Sequence, residues 1–230
     1  MGTRTRGLTD EELGRFLPVI RGELPRRLRP AAAAAALCLG TGGRIGEILG
    51  MRQKDIFGLD GEPLARVSRT VEKTREKRIR KTVVFDWETL GAPVLAWRRE
   101  RLLYGPEALF IGEKHKALWR ALRELYGLAG IKPRGLAFHG LRKSYLQRIQ
   151  AVLVRKNGGN VTTPILQQVQ RAACHARLET TLAYLNDGAL EIADEDALAA
   201  FADVGRNRIT FDGMKEKKRV ENDEKTEKQG

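Results

Sequence analysis

The sequence predicts an α+β fold that is mainly α-helical, with a small antiparallel sheet of three strands among the helices. Apolar residues recur at helical spacing near the amino terminus and again after Trp87, whereas between Ile56 and Phe85 they alternate with polar residues. The 230 residues, 42% of them hydrophobic, suffice for one core. We therefore expect one domain over residues 1–204 and, because apolar residues become rare beyond it, a charged and disordered tail over residues 205–230.

Two helices are predicted at the amino-terminal end. Thr9-Asp10-Glu11-Glu12 has the pattern of a capping box, in which a threonine and a glutamate satisfy each other's backbone N–H groups. Pro30 suits the first turn of a second helix, and the alanine-rich run from Ala31 to Leu39 permits close packing against its neighbours. The glycine-rich segment 40–43 ends this helix. The apolar face of the first helix consists of Leu13, Phe16, Leu17, Ile20 and Leu24.

A third helix follows, with Ile45, Ile48 and Leu49 as its apolar stripe. Arg44 and Glu47 stand three residues apart at its beginning, where side chains at this spacing lie on one face. The spacing alone favours a surface ion pair.

The alternating region predicts the sheet. Asp60-Gly61 marks a tight turn, a strand passes through Val67 and Val71, and a return strand passes through Ile79 and Val83. Together these patterns indicate about three strands. The bend between the last two carries more positive charge than the protection of a sheet edge requires, so we expect it to face phosphate groups. Its basic residues are Lys73, Arg75, Lys77, Arg78, Arg80 and Lys81.

Helical spacing returns over residues 92–103, 114–128 and 141–154. Thr163 and Pro164 then suit the cap and the first position of a further helix. Two more helices are expected before residue 205: a short one that bears Tyr184, and a terminal one whose apolar residues are Leu190, Ile192, Leu198, Phe201 and Val204.

The charge balance indicates a polyanionic partner. Forty-two Lys and Arg residues against 29 Asp and Glu residues give a formal charge of +13 and an isoelectric point near 10.1. A domain this basic usually binds nucleic acid, although some basic proteins do not, so charge alone does not assign the function.

Cysteine usage and hydropathy indicate a cytoplasmic protein without a membrane partner. Cys38 and Cys174 lie in apolar surroundings and lack the close spacing of a metal or redox pair, so we expect buried free thiols. No apolar run is long enough to span a bilayer, and the polar start of the chain lacks the apolar core of a signal peptide.

The most informative stretch is Phe138-His139-Gly140-Leu141-Arg142-Lys143-Ser144-Tyr145, which places an imidazole and a guanidinium on one helix face. Transfer of a phosphodiester needs positive donors on its non-bridging oxygens, a nucleophile in line with the leaving oxygen and an acid to protonate that oxygen. Each candidate taken singly also fits a structural role. The candidates are Arg44 and Arg142 for the phosphate, His139 and His175 for hydrogen bonding or proton transfer, a hairpin lysine as acid, and Tyr184 as nucleophile.

The order and context of these residues resemble the tyrosine recombinase (phage integrase) family. The segment from Leu39 to Arg52 looks like the first box, in which an arginine follows a Thr-Gly turn and an acidic residue comes three positions later. His139-Gly140-Leu141-Arg142 matches the His-x-x-Arg box. The segment from Cys174 to Tyr184 resembles the Gly-His box, with the nucleophilic tyrosine nine residues beyond the histidine. Three boxes in order across residues 8–186 make the resemblance specific.

The resemblance implies a catalytic-domain fold and a mechanism. Tyr184 would attack the scissile phosphate, form a 3′-phosphotyrosyl link and release a 5′-hydroxyl without metal, ATP or another cofactor. Arg44, Arg142 and His175 would stabilise the phosphorane-like transition state, His139 would assist proton transfer, and Glu47 would orient the first arginine. Lys73 would be the general acid, with Lys77 as the alternative. The DNA-contacting residues would be Arg75, Lys77, Arg78, Arg80, Lys81 and Lys143.

Three features depart from the family pattern. Cys174 replaces the usual glycine before the third-box histidine, and the segment between Arg142 and His175 is long, with the excess assigned to the loop at residues 157–160. The helical clamp domain that precedes the catalytic domain in such enzymes has no counterpart here, so the chain is either a fragment or a catalytic-domain-only protein.

The resemblance leaves two alternatives open. Type IB topoisomerases share the fold and the tyrosine chemistry but relax DNA, and a relative that binds without cleaving could compete for recombination sites. The partner in each case is double-stranded DNA. We expect a monomer in isolation and a multimer on DNA, since the apolar segment after Tyr184 suits a neighbouring protomer. The outcome, whether integration, excision or resolution, stays open.

Overall fold

The structure is a computed structural model that describes residues 5–72, 78–159 and 162–173. These residues form a mainly helical domain with one small sheet. In chain order the main elements are α1 (Asp10–Arg21), α2 (Arg29–Thr41), α3 (Ile45–Leu49), β1 (Arg66–Glu72), β2 (Arg78–Val84), α4 (Trp87–Glu100), α5 (His115–Leu128), α6 (Phe138–Lys156) and α7 (Thr163–Ala173).

Helix α2 is the centre of the core. Every residue from Pro30 to Thr41 is buried, and α1, α4, α5 and α6 all contact this helix. Because alanine carries only a methyl group, the six consecutive alanines from Ala31 to Ala36 let the neighbouring helices approach closely. The helix is apolar all round, as expected for an element enclosed on every side.

The turn after α2 requires glycine. The N–H of Gly42 donates to the Cys38 carbonyl (3.0 Å), and Gly42 has a φ of 62°, in the left-handed region. A Cβ on Gly42 would lie 2.4 Å from the Tyr145 ring on α6. The chain can therefore reverse into α3 directly against α6, which brings the first two sequence boxes together.

The sheet contains two strands among the described residues, not the three that the sequence predicted. Strands β1 and β2 pair antiparallel, with Arg66 opposite Val84 and Glu72 opposite Arg78. The expected third strand is reduced to an isolated bridge between Phe57 and Pro63. A tight turn with Gly61 at a φ of 88° occupies this segment, and proline has no N–H to extend a ladder.

Two helices begin at places that capping explains. Helix α4 begins at Trp87 instead of residue 92, because the Asp86 carboxylate accepts from the Thr89 N–H (2.9 Å). Helix α7 is capped by Thr162 instead of Thr163, since the Thr162 hydroxyl accepts from the Ile165 N–H (3.4 Å).

The capping box of α1 is confirmed: Glu12 N–H donates to the Thr9 hydroxyl (3.2 Å), and Thr9 N–H donates to the Glu12 carboxylate (3.0 Å).

The amino-terminal segment before α1 lies against the start of α6. Arg6 N–H donates to the Gly135 carbonyl (3.1 Å), and Leu8 N–H donates to the Ser144 hydroxyl (2.7 Å). The Ser144 hydroxyl in turn donates to the Gly140 carbonyl (3.1 Å). We call residues 5–8 the strap, because they hold the first turns of α6 in place.

Cys38 is a buried free thiol, as predicted, and burial raises its pKa above the ordinary value. Cys174, the helices expected after it and the tail at 205–230 lie outside the described residues. Within the described ranges, no helix combines the length and apolar character that crossing a bilayer requires.

Candidate active site

The candidate site lies where α3 and α6 both begin, next to the carboxyl-terminal end of α2. Arg44 is the residue immediately before α3, and its guanidinium Nη1 donates to Glu47 Oε1 (2.9 Å). The Arg44 backbone N–H also donates to Glu47 Oε2 (3.0 Å). The expected ion pair is present, but only Arg44 is at the surface: its side chain is 41% exposed, against 9% for Glu47.

Arg142 lies inside the protein. It projects from the second turn of α6, is fully buried, and its Nη1 donates to the carbonyl oxygen of Gly42. This hydrogen bond ties the His-x-x-Arg box to the turn between α2 and α3. The interaction spans one hundred positions of sequence and fixes the second-box arginine next to the first box.

His139 stands on the first turn of α6 with its ring at the surface. Its pKa is lowered from the ordinary value, first by partial burial and then by the positive charges of Arg142, Arg44 and Lys143. The lowered pKa favours the neutral imidazole, which has one N–H that can donate a hydrogen bond and one ring nitrogen that can accept a proton. The positive charges of Arg142, Arg44 and Lys143 therefore lie within electrostatic range of His139.

The glycine in this box has a steric role. A Cβ on Gly140 would lie 2.6 Å from the Arg6 carbonyl oxygen, so the strap passes directly over this position. Because the strap also bonds to Ser144, both flanks of the His139–Arg142 turn are fixed. The sequence motif identifies the stretch around Gly140, but it does not reveal the contact with Arg6 that requires glycine there.

Arg69 on β1, which the sequence motifs did not single out, contacts Glu47. Its side chain is fully buried, and its Nη1 donates to Glu47 Oε2. The position of Arg69 on β1 is the sequence signal that could have identified this residue. Val67, Arg69 and Val71 alternate onto the same buried face, where a charged residue needs a partner.

The hairpin is described only in part. Arg78 begins β2 opposite Glu72, and Arg80 is exposed and pairs with Asp55 (3.0 Å). Lys81 is half-buried and lies opposite Arg69 in the register. Lys73, Arg75 and Lys77 lie outside the described residues.

His175 and Tyr184 also lie outside the described residues. Helix α7 contacts α6 and ends at Ala173, two residues before His175. The structure thus brings together Arg44, Glu47, His139, Arg142 and Lys143, and the assignment of the third box stays a prediction.

Comparison with known proteins identifies the fold. No family model matches the sequence, and no curated protein is recognisably similar to it. The XerH site-specific recombinase bound to difH substrate in a pre-cleavage complex has a similar structure, with a TM-score of 0.55 and 22% identity over 79% of this chain and 50% of that chain. A lambda integrase dimer bound to a COC′ core site has a TM-score of 0.50 and 18% identity, over 85% of this chain and 49% of that one. The integrase from mycobacterium phage Brujita has a TM-score of 0.50 and 12% identity, over 87% and 58%.

The fold is that of the integrase catalytic domain, mostly helical with a small antiparallel sheet. The chain spans about half the length of the XerH and lambda integrase chains.

Proposed function

We propose that this chain is the catalytic part of an integrase-like, site-specific tyrosine recombinase. The observation that carries the proposal is the convergence of Arg44, His139 and Arg142 at the end of α2, in a chain of formal charge +13 that has the integrase catalytic-domain fold. The XerH structure is bound to its difH substrate and the lambda integrase structure to a COC′ core site, which supports double-stranded DNA as the partner of this chain.

The geometry suits the stabilisation of charge on a phosphate. Arg44 is partly exposed and can present its remaining N–H donors to an anion, whereas Arg142 is buried against the Gly42 carbonyl and adds a fixed positive charge. The neutral His139 imidazole can donate a hydrogen bond to the same phosphate or take up a proton. Lys143, one position beyond Arg142, adds a further cation for the DNA backbone.

The roles of nucleophile and general acid rest on the resemblance of the sequence motifs. The Tyr184 oxygen attacks the scissile phosphorus, the bond from phosphorus to the 5′ oxygen breaks, and Lys73 or Lys77 donates a proton to that leaving oxygen. The product is a 3′-phosphotyrosyl link with a free 5′-hydroxyl. Attack by a 5′-hydroxyl of a partner strand reverses the chemistry and releases Tyr184. His175 assists Arg44 and Arg142 in the transition state, and Arg75, Arg78, Arg80 and Lys81 contact phosphates.

The covalent link retains the free energy of the broken phosphodiester, so rejoining needs no nucleotide cofactor. We place the protein in the cytoplasm, as part of a mobile genetic element, and expect a monomer that assembles into a multimer on DNA. The basic hairpin and the two arginine boxes form the phosphate-binding face. Binding by the isolated chain should therefore weaken steeply with salt.

The decisive experiment is capture of the covalent adduct. The protein is mixed with a pool of nicked duplexes whose sequence around the nick is randomised, so that the cleaved strand loses its 5′-hydroxyl fragment and cannot be religated. We expect a denaturant-resistant protein–DNA adduct that maps to Tyr184 by peptide mass spectrometry. Tyr184→Phe should abolish the adduct while DNA binding persists.

Tyr104→Phe is the matched control, because Tyr104 is an exposed tyrosine that belongs to none of the three boxes. An adduct that survives Tyr184→Phe would assign the nucleophile to another tyrosine and show that the third box is misaligned. Binding without an adduct in the unmodified protein would identify a non-cleaving relative. Relaxation of supercoiled DNA without strand exchange would favour the topoisomerase alternative.

A further inference from the structure

Arg69 on β1 is linked to the site through Glu47. Glu47 accepts from the buried Arg69 through Oε2 and from the partly exposed Arg44 through Oε1. Arg69 has no exposed side-chain surface, whereas 41% of the Arg44 side chain is exposed. One carboxylate therefore joins an arginine that cannot reach a ligand to an arginine that can.

The surroundings of Arg69 are unfavourable for a residue that serves stability alone. Among the described residues, its Nε and Nη2 atoms find no hydrogen-bond acceptor. Burying donors without acceptors costs free energy, and an apolar residue between Val67 and Val71 would fill this buried face without that cost. The charge at this position therefore calls for a functional explanation.

The charge balance supplies that explanation. Glu47 carries one negative charge, and if Arg44 were its only cation, the two would neutralise each other and Arg44 would be less available to an anion. With Arg69 as a buried counter-ion of Glu47, the cluster of Arg44, Glu47 and Arg69 keeps a net positive charge, and the exposed member is Arg44.

We propose that Arg69 is a positioning residue that holds and neutralises Glu47, so that Arg44 keeps both its orientation and its charge for the phosphate. This inference rests on the proposed function, in which Arg44 binds the scissile phosphate. Strand β1 ends at Glu72, directly before Lys73. The same strand therefore links the first-box arginine to the segment that bears the candidate general acid.

The test compares four variants with the unmodified chain: Arg69→Met, Arg69→Lys, Arg44→Ala, and the combination of Arg69→Met with Arg44→Ala. Val67→Ala is the control, since it removes bulk from the same buried face of β1 without changing charge. Two quantities are measured for each: the single-turnover rate of adduct formation on the randomised nicked duplexes, and the salt dependence of binding to an intact mixed-sequence duplex. Circular dichroism establishes that each variant is folded. If Arg69→Met does not fold, Arg69→Gln takes its place under the same criteria.

We expect Arg69→Met to slow adduct formation at least tenfold, Arg69→Lys to restore part of the rate, and Val67→Ala to leave it near that of the unmodified chain. In the Arg44→Ala background, Arg69→Met should have little further effect, because its influence passes through Arg44. Loss of one phosphate contact should lower the magnitude of the salt slope by about 0.9 in Arg44→Ala, in Arg69→Met and in the double variant alike.

An unchanged rate in Arg69→Met, or slowing that multiplies with that of Arg44→Ala, would overturn the proposal. Slowing that Val67→Ala reproduces would show a merely structural role and would also overturn it. The salt slope separates this proposal from the proposed function. If the unmodified chain forms no adduct, the recombinase assignment fails. Even then, the same change of salt slope in the Arg44 and Arg69 variants would support the role of Arg69 in positioning Arg44. An unchanged salt slope in the Arg69 variants would refute that role.

Discussion

Replacing Glu47 with glutamine should destabilise the protein far more than the same change at Glu12. Both glutamates stand three positions after the residue that precedes a helix, and both accept from that residue's N–H at 3.0 Å and from an arginine. The arginine that Glu12 binds, Arg6, is 41% exposed, so water can solvate its charge when the carboxylate is lost. Glu47 has in addition the fully buried Arg69, which water cannot reach.

The magnitudes follow from this difference. Removing one partner of a buried ion pair costs about 3–5 kcal/mol, because the remaining charge stays buried without compensation. The Arg6–Glu12 pair is partly buried, but solvent reaches its arginine, so we expect it to contribute about 1 kcal/mol, near the value for surface pairs. We therefore expect Glu47→Gln to lower the free energy of unfolding by about 2 kcal/mol or more beyond the loss in Glu12→Gln, a difference large enough to measure against a typical domain stability of about 5–15 kcal/mol.

The assay is urea denaturation followed by circular dichroism, which needs no DNA. The midpoints should differ while the slopes of unfolding free energy against urea stay equal, so that the comparison reports stability alone. Adding Arg69→Met to Glu47→Gln should recover part of the loss, because the buried charge is removed together with its partner. Equal losses in the two glutamine variants, or no recovery in the double variant, would refute the idea that Glu47 compensates a buried charge.

Two further predictions concern the turn and the hairpin. Gly42→Ala should lower the free energy of unfolding by about 1–3 kcal/mol in thermal denaturation, because it forces a positive φ on alanine and a clash with Tyr145, whereas Gly46→Ala, with open space around its Cβ, should be neutral or stabilising. A stable Gly42→Ala variant would contradict the described turn. Lys73→Ala should slow cleavage of normal DNA, and a substrate with a 5′-bridging sulfur should restore the rate, since a thiolate leaves without protonation. Rescue in Lys77→Ala instead would move the acid to Lys77, and no rescue in either would leave the hairpin as a phosphate contact.

Local signals in the sequence predicted the helices up to residue 173, whereas the two expected beyond it lie outside the described residues. The Thr9–Glu12 capping box and the apolar faces depend on neighbouring residues, and the structure confirms both. The predicted third strand is not found among the described residues. The alternation of apolar and polar residues does not reveal that the turn at Gly61 and the missing N–H of Pro63 leave only an isolated bridge. Local reading thus fails where turn geometry limits pairing between strands.

For the candidate site too, some features could be predicted from the sequence and others could not. Motif spacing placed Arg44, His139 and Arg142 in one site, and the structure brings them together. Spacing could not show that Arg142 is buried against the Gly42 carbonyl, or that Arg69 shares the Glu47 carboxylate, because these contacts join distant segments. A motif can nominate a site residue from its neighbours in sequence, whereas the burial of that residue depends on what the fold packs around it.

The bond from Arg142 to the Gly42 carbonyl also has a mechanical consequence. Arg44 follows Gly42 by two residues, and Arg142 on α6 donates a hydrogen bond to the Gly42 carbonyl oxygen. A small displacement of the turn that follows α2 would therefore be transmitted to both arginines, through the chain to Arg44 and through this hydrogen bond to Arg142. The distance between the two charges should therefore change little when the helices of the bundle move relative to one another.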